Sequence, residues 1–292
     1  MIHDPAHPGT TEPADTLLRA DDPAPVERPT TRRPFAVGDG ITVVPSYLPV
    51  PGMGVLPANA FVLDGAEPIL VDTGPGGAHA EFRRALSSAI DPAALRWIWL
   101  THTDPDHIGS LEWVLEAAPD ARLITTYLAV GKLGLQMEVP IDRLYWVNPG
   151  TTIVLGDRRL EALRPPSFDA PETTVFFEHT SRTLFSADSF GSLLQSPTSD
   201  AADLPAGELA DGMALWSTID SPWLTHTDRS SLDATLASLH ALDATRVLSS
   251  HLPPATGMTL TLFDNLARVP GRPSWVGPDQ AALDELLAGV TA

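Results

Sequence analysis

Four side chains able to hold a metal ion fall within six residues: His102, Asp104, Asp106 and His107, in the stretch Leu100-Thr101-His102-Thr103-Asp104-Pro105-Asp106-His107-Ile108-Gly109-Ser110. They follow the apolar run Leu95, Trp97, Ile98, Trp99 and Leu100, so the cluster is expected at the carboxyl end of a strand. His102, Asp104 and Asp106 alternate, whereas Asp106 and His107 are adjacent. With Pro105 fixing one φ angle, that spacing can send donors to two neighbouring metals rather than one. The competing reading is a solvated turn in which Asp106 caps a helix beginning near Ser110 by accepting backbone N–H bonds.

Composition narrows the chemistry. A chain of 292 residues with 43% hydrophobic content and no apolar run long enough for a bilayer is expected to fold as one large domain or two modest ones, with no membrane partner. The net charge of −19 argues against nucleic acid, since no basic stripe can neutralise phosphates. The absence of cysteine removes thiolate nucleophiles, disulfides, iron–sulfur clusters and Cys-type zinc sites together. Any metal must therefore be held by His and carboxylate. No positively charged segment followed by an apolar stretch opens the chain, so a cytoplasmic location is the expectation.

The elements that must position the cluster are readable from periodicity. Residues 1–34, with seven prolines, are expected to form a flexible tail, and 35–292 a single domain. Strands are predicted at Ile41–Val50, Ala60–Leu63, Ile69–Val71, Trp97–Leu100, Arg122–Thr125, Leu144–Val147, Thr152–Leu155, Leu160–Leu163, Thr174–Phe177, Thr183–Ser186 and Val247–Ser249. Helices are predicted where Phe82, Leu86 and Ile90, then Leu111, Val114 and Leu115, then Leu232, Leu236 and Leu239 share a face, and through Leu128–Leu135. Strands and helices alternate twice over, which implies sheets covered by helices in an α/β sandwich.

Four strand ends carry a resemblance to the metallo-β-lactamase superfamily: Leu70-Val71-Asp72-Thr73-Gly74, the His102–His107 cluster, Leu184-Phe185-Ser186-Ala187-Asp188 and Leu248-Ser249-Ser250-His251. The resemblance implies an αββα sandwich, two mixed β-sheets flanked by helices, with two metals at the common edge of the sheets. This chain has Asp104 where the superfamily usually has His. A carboxylate there is similar to the flavodiiron and oxygen-binding diiron proteins, which carry Glu. Their next ligand region resembles Arg164-Pro165-Pro166-Ser167-Phe168-Asp169-Ala170-Pro171-Glu172-Thr173, with Asp169 on a position that is usually His. The resemblance thus implies His102, Asp104 and Asp169 on one metal, Asp106, His107 and His251 on the other, Asp188 bridging, and Asp72 orienting a ligand. His107 is not always bound in the related proteins. Asp106 and Asp188 are the candidate catalytic carboxylates.

Two divalent cations would balance the charge of four carboxylates that otherwise repel one another. A sulfur-free set with four carboxylates and at most three imidazoles suits iron or manganese better than zinc, which prefers His-rich sets. Three function classes follow. The first is a diiron oxidoreductase that binds O₂ or NO and reduces it or uses it to oxidise a small organic substrate. The second is a dinuclear hydrolase of esters, lactones or phosphodiesters with a bridging hydroxide. The third is an O₂ or NO sensor. Leu252–Ala292 is too short for a flavodoxin domain, so a reductase would need an external electron donor, and the superfamily often forms homodimers. Elsewhere, Asp228 of His226-Thr227-Asp228 reads as a helix cap, His79, His179 and His240 as ordinary surface or helix residues, and Trp216, Trp223, Tyr127 and Met137 as core or pocket lining.

Overall fold

The computed structural model describes residues 17–290, and three sheets organise them. The largest has seven strands in the spatial order Leu144–Trp146, Arg122–Thr125, Trp97–Trp99, Ile69–Val71, Ala60–Leu63, Ile41–Val44 and Phe35–Gly38. A six-stranded sheet runs Thr152–Leu155, Arg158–Leu163, Val175–Glu178, Thr183–Phe185, Arg246–Leu248 and Ala255–Thr256. A small sheet joins Thr30–Thr31, Ser46–Val50 and Gly54–Pro57.

The central strands of both large sheets are buried on both faces, as strands covered on two sides must be, whereas the edge strand Thr152–Leu155 alternates exposed and buried. In the strand Ala60–Leu63, Phe61 and Leu63 face the inter-sheet core while Ala60 and Val62 face helices, the alternation that a two-residue period imposes. The inter-sheet core joins Phe61, Val71, Trp99 and Ile124 to Leu160, Phe176, Phe185 and Leu248. Outside the first sheet pack Phe82 and Leu86 of the helix His79–Ala89 with Leu111 and Val114 of Leu111–Ala117. Outside the second lie Leu209 and Met213 of Ala206–Asp220, Leu232 and Leu236 of Arg229–His240, and Leu262 and Leu266 of Thr259–Leu266. The layers are helix, sheet, sheet, helix.

Strand direction is what gathers the chemistry. Ile69–Val71, Trp97–Trp99 and Arg122–Thr125 are mutually parallel, and Thr183–Phe185 is parallel to Arg246–Leu248. Asp72, His102, Asp188 and His251 each follow one of these strands and so emerge from carboxyl ends at one rim.

One expectation needs correction. The flexible tail was expected to reach residue 34, yet Leu17 and Ala20 are buried and Thr30–Thr31 pairs with Ser46–Val50; residues 1–16 lie outside the described residues. The cause is a buried cation. Arg32 donates to the carbonyls of Asp22 and of Ala24 (3.1 Å), while the Tyr47 hydroxyl donates to Ala20 O at 3.0 Å. Side-chain donors here replace the hydrogen bonds that a Pro-rich segment cannot make to itself. Among the described residues, no helix is long and apolar enough to cross a membrane.

Candidate metal centre

The turn that opens the cluster is fixed from beneath. After Val71 the backbone enters the left-handed region at Asp72 (φ 57°), and Gly74 follows at φ 66°. Thr73 donates through both N and Oγ1 to His107 O, at 2.7 and 2.8 Å, and Gly109 N donates to Gly74 O at 2.9 Å. A Cβ on Gly109 would sit 2.0 Å from Gly76 N, so glycine is required at this crossing of two loops. Asp72, the expected orienting carboxylate, accepts from Thr101 N and Thr101 Oγ1 at 2.8 Å each and lies 2.9 Å from His107 Nδ1.

Three imidazoles share one orientation. Thr101 Oγ1 spends its proton on Asp72, so it accepts from His102 Nδ1 at 3.0 Å. His107 Nδ1 donates to Asp72, and His251 Nδ1 donates to Pro57 O at 2.6 Å. Each Nδ1–H is thus tied outward, which turns each Nε2 inward, the orientation that metal-bound histidines use once that nitrogen is deprotonated. Inward lies Asp188. Its Oδ2 is 3.2 Å from His102 Nε2, and its Oδ1 is 3.2 Å from His107 Nε2 and 3.1 Å from His251 Nε2.

Asp188 is delivered by a tight turn after Thr183–Phe185 in which Ala187 and Phe190 adopt φ 48° and 67°. Left-handed conformations at such residues cost of order 1 kcal/mol or more and concentrate at functional sites. Ser249 Oγ and Ser250 N both donate to Ala187 O, tying this turn to the loop that carries His251. Asn59 Nδ2 fastens the same loop through Ser249 O and Leu252 O. A Cβ on Gly191 would meet Trp216 at 2.5 Å and His251 at 2.7 Å.

The expected residues come together in overlapping groups whose ligand atoms lie within 4.8 Å of one another: His102, Asp104 and Asp169; Asp106, His107 and His251; and His102, His107 and Asp188. A further group joins Asp169 and Asp188 to Asp220, a residue the sequence reading missed. Asp220 ends a helix that was itself not foreseen. The available signal was the stripe Leu209, Met213, Trp216 and Asp220, spaced by four, three and four residues. Asp228, by contrast, caps its helix as expected, accepting from Ser231 N at 3.3 Å.

Electrostatics mark the cluster as incomplete without a cation. Both carboxylate oxygens of Asp188, which is 3% exposed, and the buried His107 Nε2 have no hydrogen-bond partner among the described residues. Burial opposes the charge on Asp188, but His102 and His107 hold its carboxyl well below the usual range. Burial likewise opposes a charged His107, yet Asp106, Asp188 and Asp72 raise it well above its ordinary value, and His251 is pushed up to about 9 against burial by the Asp188 carboxylate beside it. His102 is lowered by burial. On the open side, burial and the charge of Asp188 push Asp169 up to about 8 and Asp220 up to about 7. The raised carboxyl groups of Asp169 and Asp220 and the raised imidazoles of His107 and His251 are groups whose protons a bound cation would displace. The donor set fits a pair of metal ions.

Aromatic residues wall the site. Trp216 lies 4.8 Å from the His251 ring and donates from Nε1 to Asp188 O at 3.3 Å. Trp223 packs on Phe168 and donates to Phe168 O at 2.7 Å, holding the loop that bears Asp169. Tyr127 and Met137 lie elsewhere: Tyr127 is 73% exposed against Trp146, and Met137 packs beneath the first sheet's helices.

Comparison with known proteins agrees with this architecture. Nitric oxide reductase of Moorella thermoacetica is 27% identical over 157 residues, covering 53% of this chain and 39% of that protein. Diflavin flavoprotein A 1 of Synechocystis sp. is 28% identical over 158 residues, covering 52% of this chain and 26% of that protein. The alignments therefore span well under half the length of these relatives. Rubredoxin oxygen:oxidoreductase from Desulfovibrio gigas superposes with a TM-score of 0.69 at 19% identity, over 80% of this chain and 61% of that one, so the two share a fold. The family model described as ODP family beta lactamase matches residues 56–218, more than half of the chain, and the chain belongs to that family.

Proposed function

We propose that this protein is a dinuclear non-haem iron oxidoreductase that binds O₂ or NO and reduces it or uses it to oxidise a small organic substrate. The observation that carries the reading is the donor set: three carboxylates and three imidazoles, without sulfur, gather around the buried carboxylate of Asp188. Hard, carboxylate-rich ligation favours iron or manganese over zinc. The relatives named as a nitric oxide reductase and an oxygen:oxidoreductase support the same class.

His102, Asp104 and Asp169 would hold one iron, Asp106, His107 and His251 the other, with Asp188 between them. Once bound, the iron pair would supply open coordination positions for a diatomic ligand and would pass on electrons to it. The chain's own residues supply position and access. Asp72, Thr101 and the Pro57 carbonyl keep each Nε2 facing inward, and Trp216 covers the His251 side. Asp169 is exposed, so small molecules reach the centre from its side. A separate redox protein or domain delivers electrons.

Anaerobic loading with Fe(II), chemical reduction, and measurement of O₂ or NO uptake test this. Uptake by the iron-loaded chain and none by the zinc-loaded chain is the expected result. A zinc-loaded chain that cleaves esters, lactones or phosphodiesters while the iron form leaves both gases untouched would replace the reading with a hydrolase.

A further inference from the structure

We infer that Asp220 is an additional metal ligand, a carboxylate on the Asp104/Asp169 side of the centre supplied by an element that carries none of the other donors. The inference rests on the dinuclear reading above.

One oxygen of Asp220 lies with oxygens of Asp169 and Asp188 inside a 4.8 Å cluster. A group of acids alone carries little weight, but Asp188 is almost fully buried and both of its oxygens lack a hydrogen-bond partner among the described residues. With Asp169 and Asp220 facing the buried Asp188, three carboxylates meet at one point and call for a cation among them.

Its place in the helix strengthens the case. Asp220 is the last residue of Ala206–Asp220, a helix with no basic residue in its last turn. The negative end of the helix dipole disfavours a carboxylate there, and Asp169 and Asp188 add repulsion. Ser221 Oγ gives a hydrogen bond to Oδ2 at 2.8 Å, fixing the carboxyl group by one oxygen. The helix is held against the site independently. Gly212 lets it approach so closely that a Cβ there would lie 2.3 Å from Leu193 O, and Trp216, one turn before Asp220, touches His251 and Asp188 O. The same stripe that sets Trp216 on the site therefore sets Asp220 there too.

A fifth carboxylate has a consequence for the metal. Asp104, Asp106, Asp169, Asp188 and Asp220 exceed by one the charge of two divalent ions, which favours hard metals and the trivalent state of iron over zinc.

The test is equilibrium dialysis of the metal-free full chain, Asp220→Asn and Asp220→Glu against Fe(II) under anaerobic conditions and, separately, Co(II), reading bound metal per chain. The unmodified chain should bind two ions. In Asp220→Asn one of the two should weaken by about tenfold or more, and Asp220→Glu should retain more of that affinity than Asn. Equal binding by the unmodified chain and the Asn variant, or an equal loss in Asn and Glu, overturns the inference. If the unmodified chain takes cobalt but not iron, the diiron reading fails while the cobalt comparison still judges Asp220. Should the Asn variant fail to fold, a crystal structure of the metal-loaded unmodified chain decides: an Asp220 oxygen about 2.0–2.2 Å from a metal supports the assignment, and one beyond coordination distance overturns it.

Discussion

The two sides of the centre are built differently. His102, His107 and His251 form a wall, 1–2% exposed, each with its outer nitrogen anchored. Asp104 and Asp106 are partly exposed, at the start of the short helix Pro105–Ile108, and Asp169 is exposed on a loop. A wall rooted in strand ends defines where metals sit, because its geometry is fixed before any ion arrives. A rim of exposed and partly exposed carboxylates governs which metal is preferred and what reaches it. Asp188 belongs to both, facing all three imidazoles and the acidic rim.

Breaking the shared residue should have the largest effect. Asp188→Asn is expected to lose at least one metal and to lower gas uptake by roughly a hundredfold or more; elemental analysis and rate measurement check both, and retention of two tightly bound ions would remove Asp188 from between them. Next comes the wall's anchor. Asp72→Asn takes a charge from beneath His107 without touching a metal, so metal affinity should fall by about 10–100-fold with the fold intact by circular dichroism. A rim substitution should act more gently and on selectivity: Asp104→His should move competition between iron and zinc toward zinc, measured by dialysis against both ions.

The smallest effect is on stability. In the metal-free chain the folded state holds Asp169 protonated up to about 8, Asp220 to about 7 and His251 to about 9, each above its ordinary value. Groups with raised pKa stabilise the fold while protonated and lose that contribution as pH rises through the folded value. The metal-free chain should therefore become less stable as pH rises from about 4, the ordinary carboxyl value, to about 9, whereas bound metal replaces those protons. The rise in Tm on adding Fe(II) or Mn(II) should grow over this window; a rise that shrinks would contradict the protonation pattern.

Much of this was legible in the sequence because strands that end in chemistry are short-range objects. Ile69–Val71 and Ala60–Leu63 are strands where alternation and apolar runs placed them, and the cluster sits just past Trp97–Trp99. The chain's packed start was hidden because composition cannot reveal that one arginine, Arg32, bonds carbonyls many residues away. Helix Ala206–Asp220 was hidden because its apolar residues surround it rather than forming a clean face, with Leu209, Met213, Ala214 and Ser217 all buried. Asp220 went with it, since a carboxylate ending a helix looks like surface until Trp216 shows which way the stripe faces.

Elemental analysis of protein purified without added metal, joined to the visible spectrum after anaerobic reduction and exposure to O₂, tests the central claim most directly. Close to two irons per chain, with a new absorption band that depends on oxygen, is the expected result. Two zincs per chain and a featureless spectrum would contradict it.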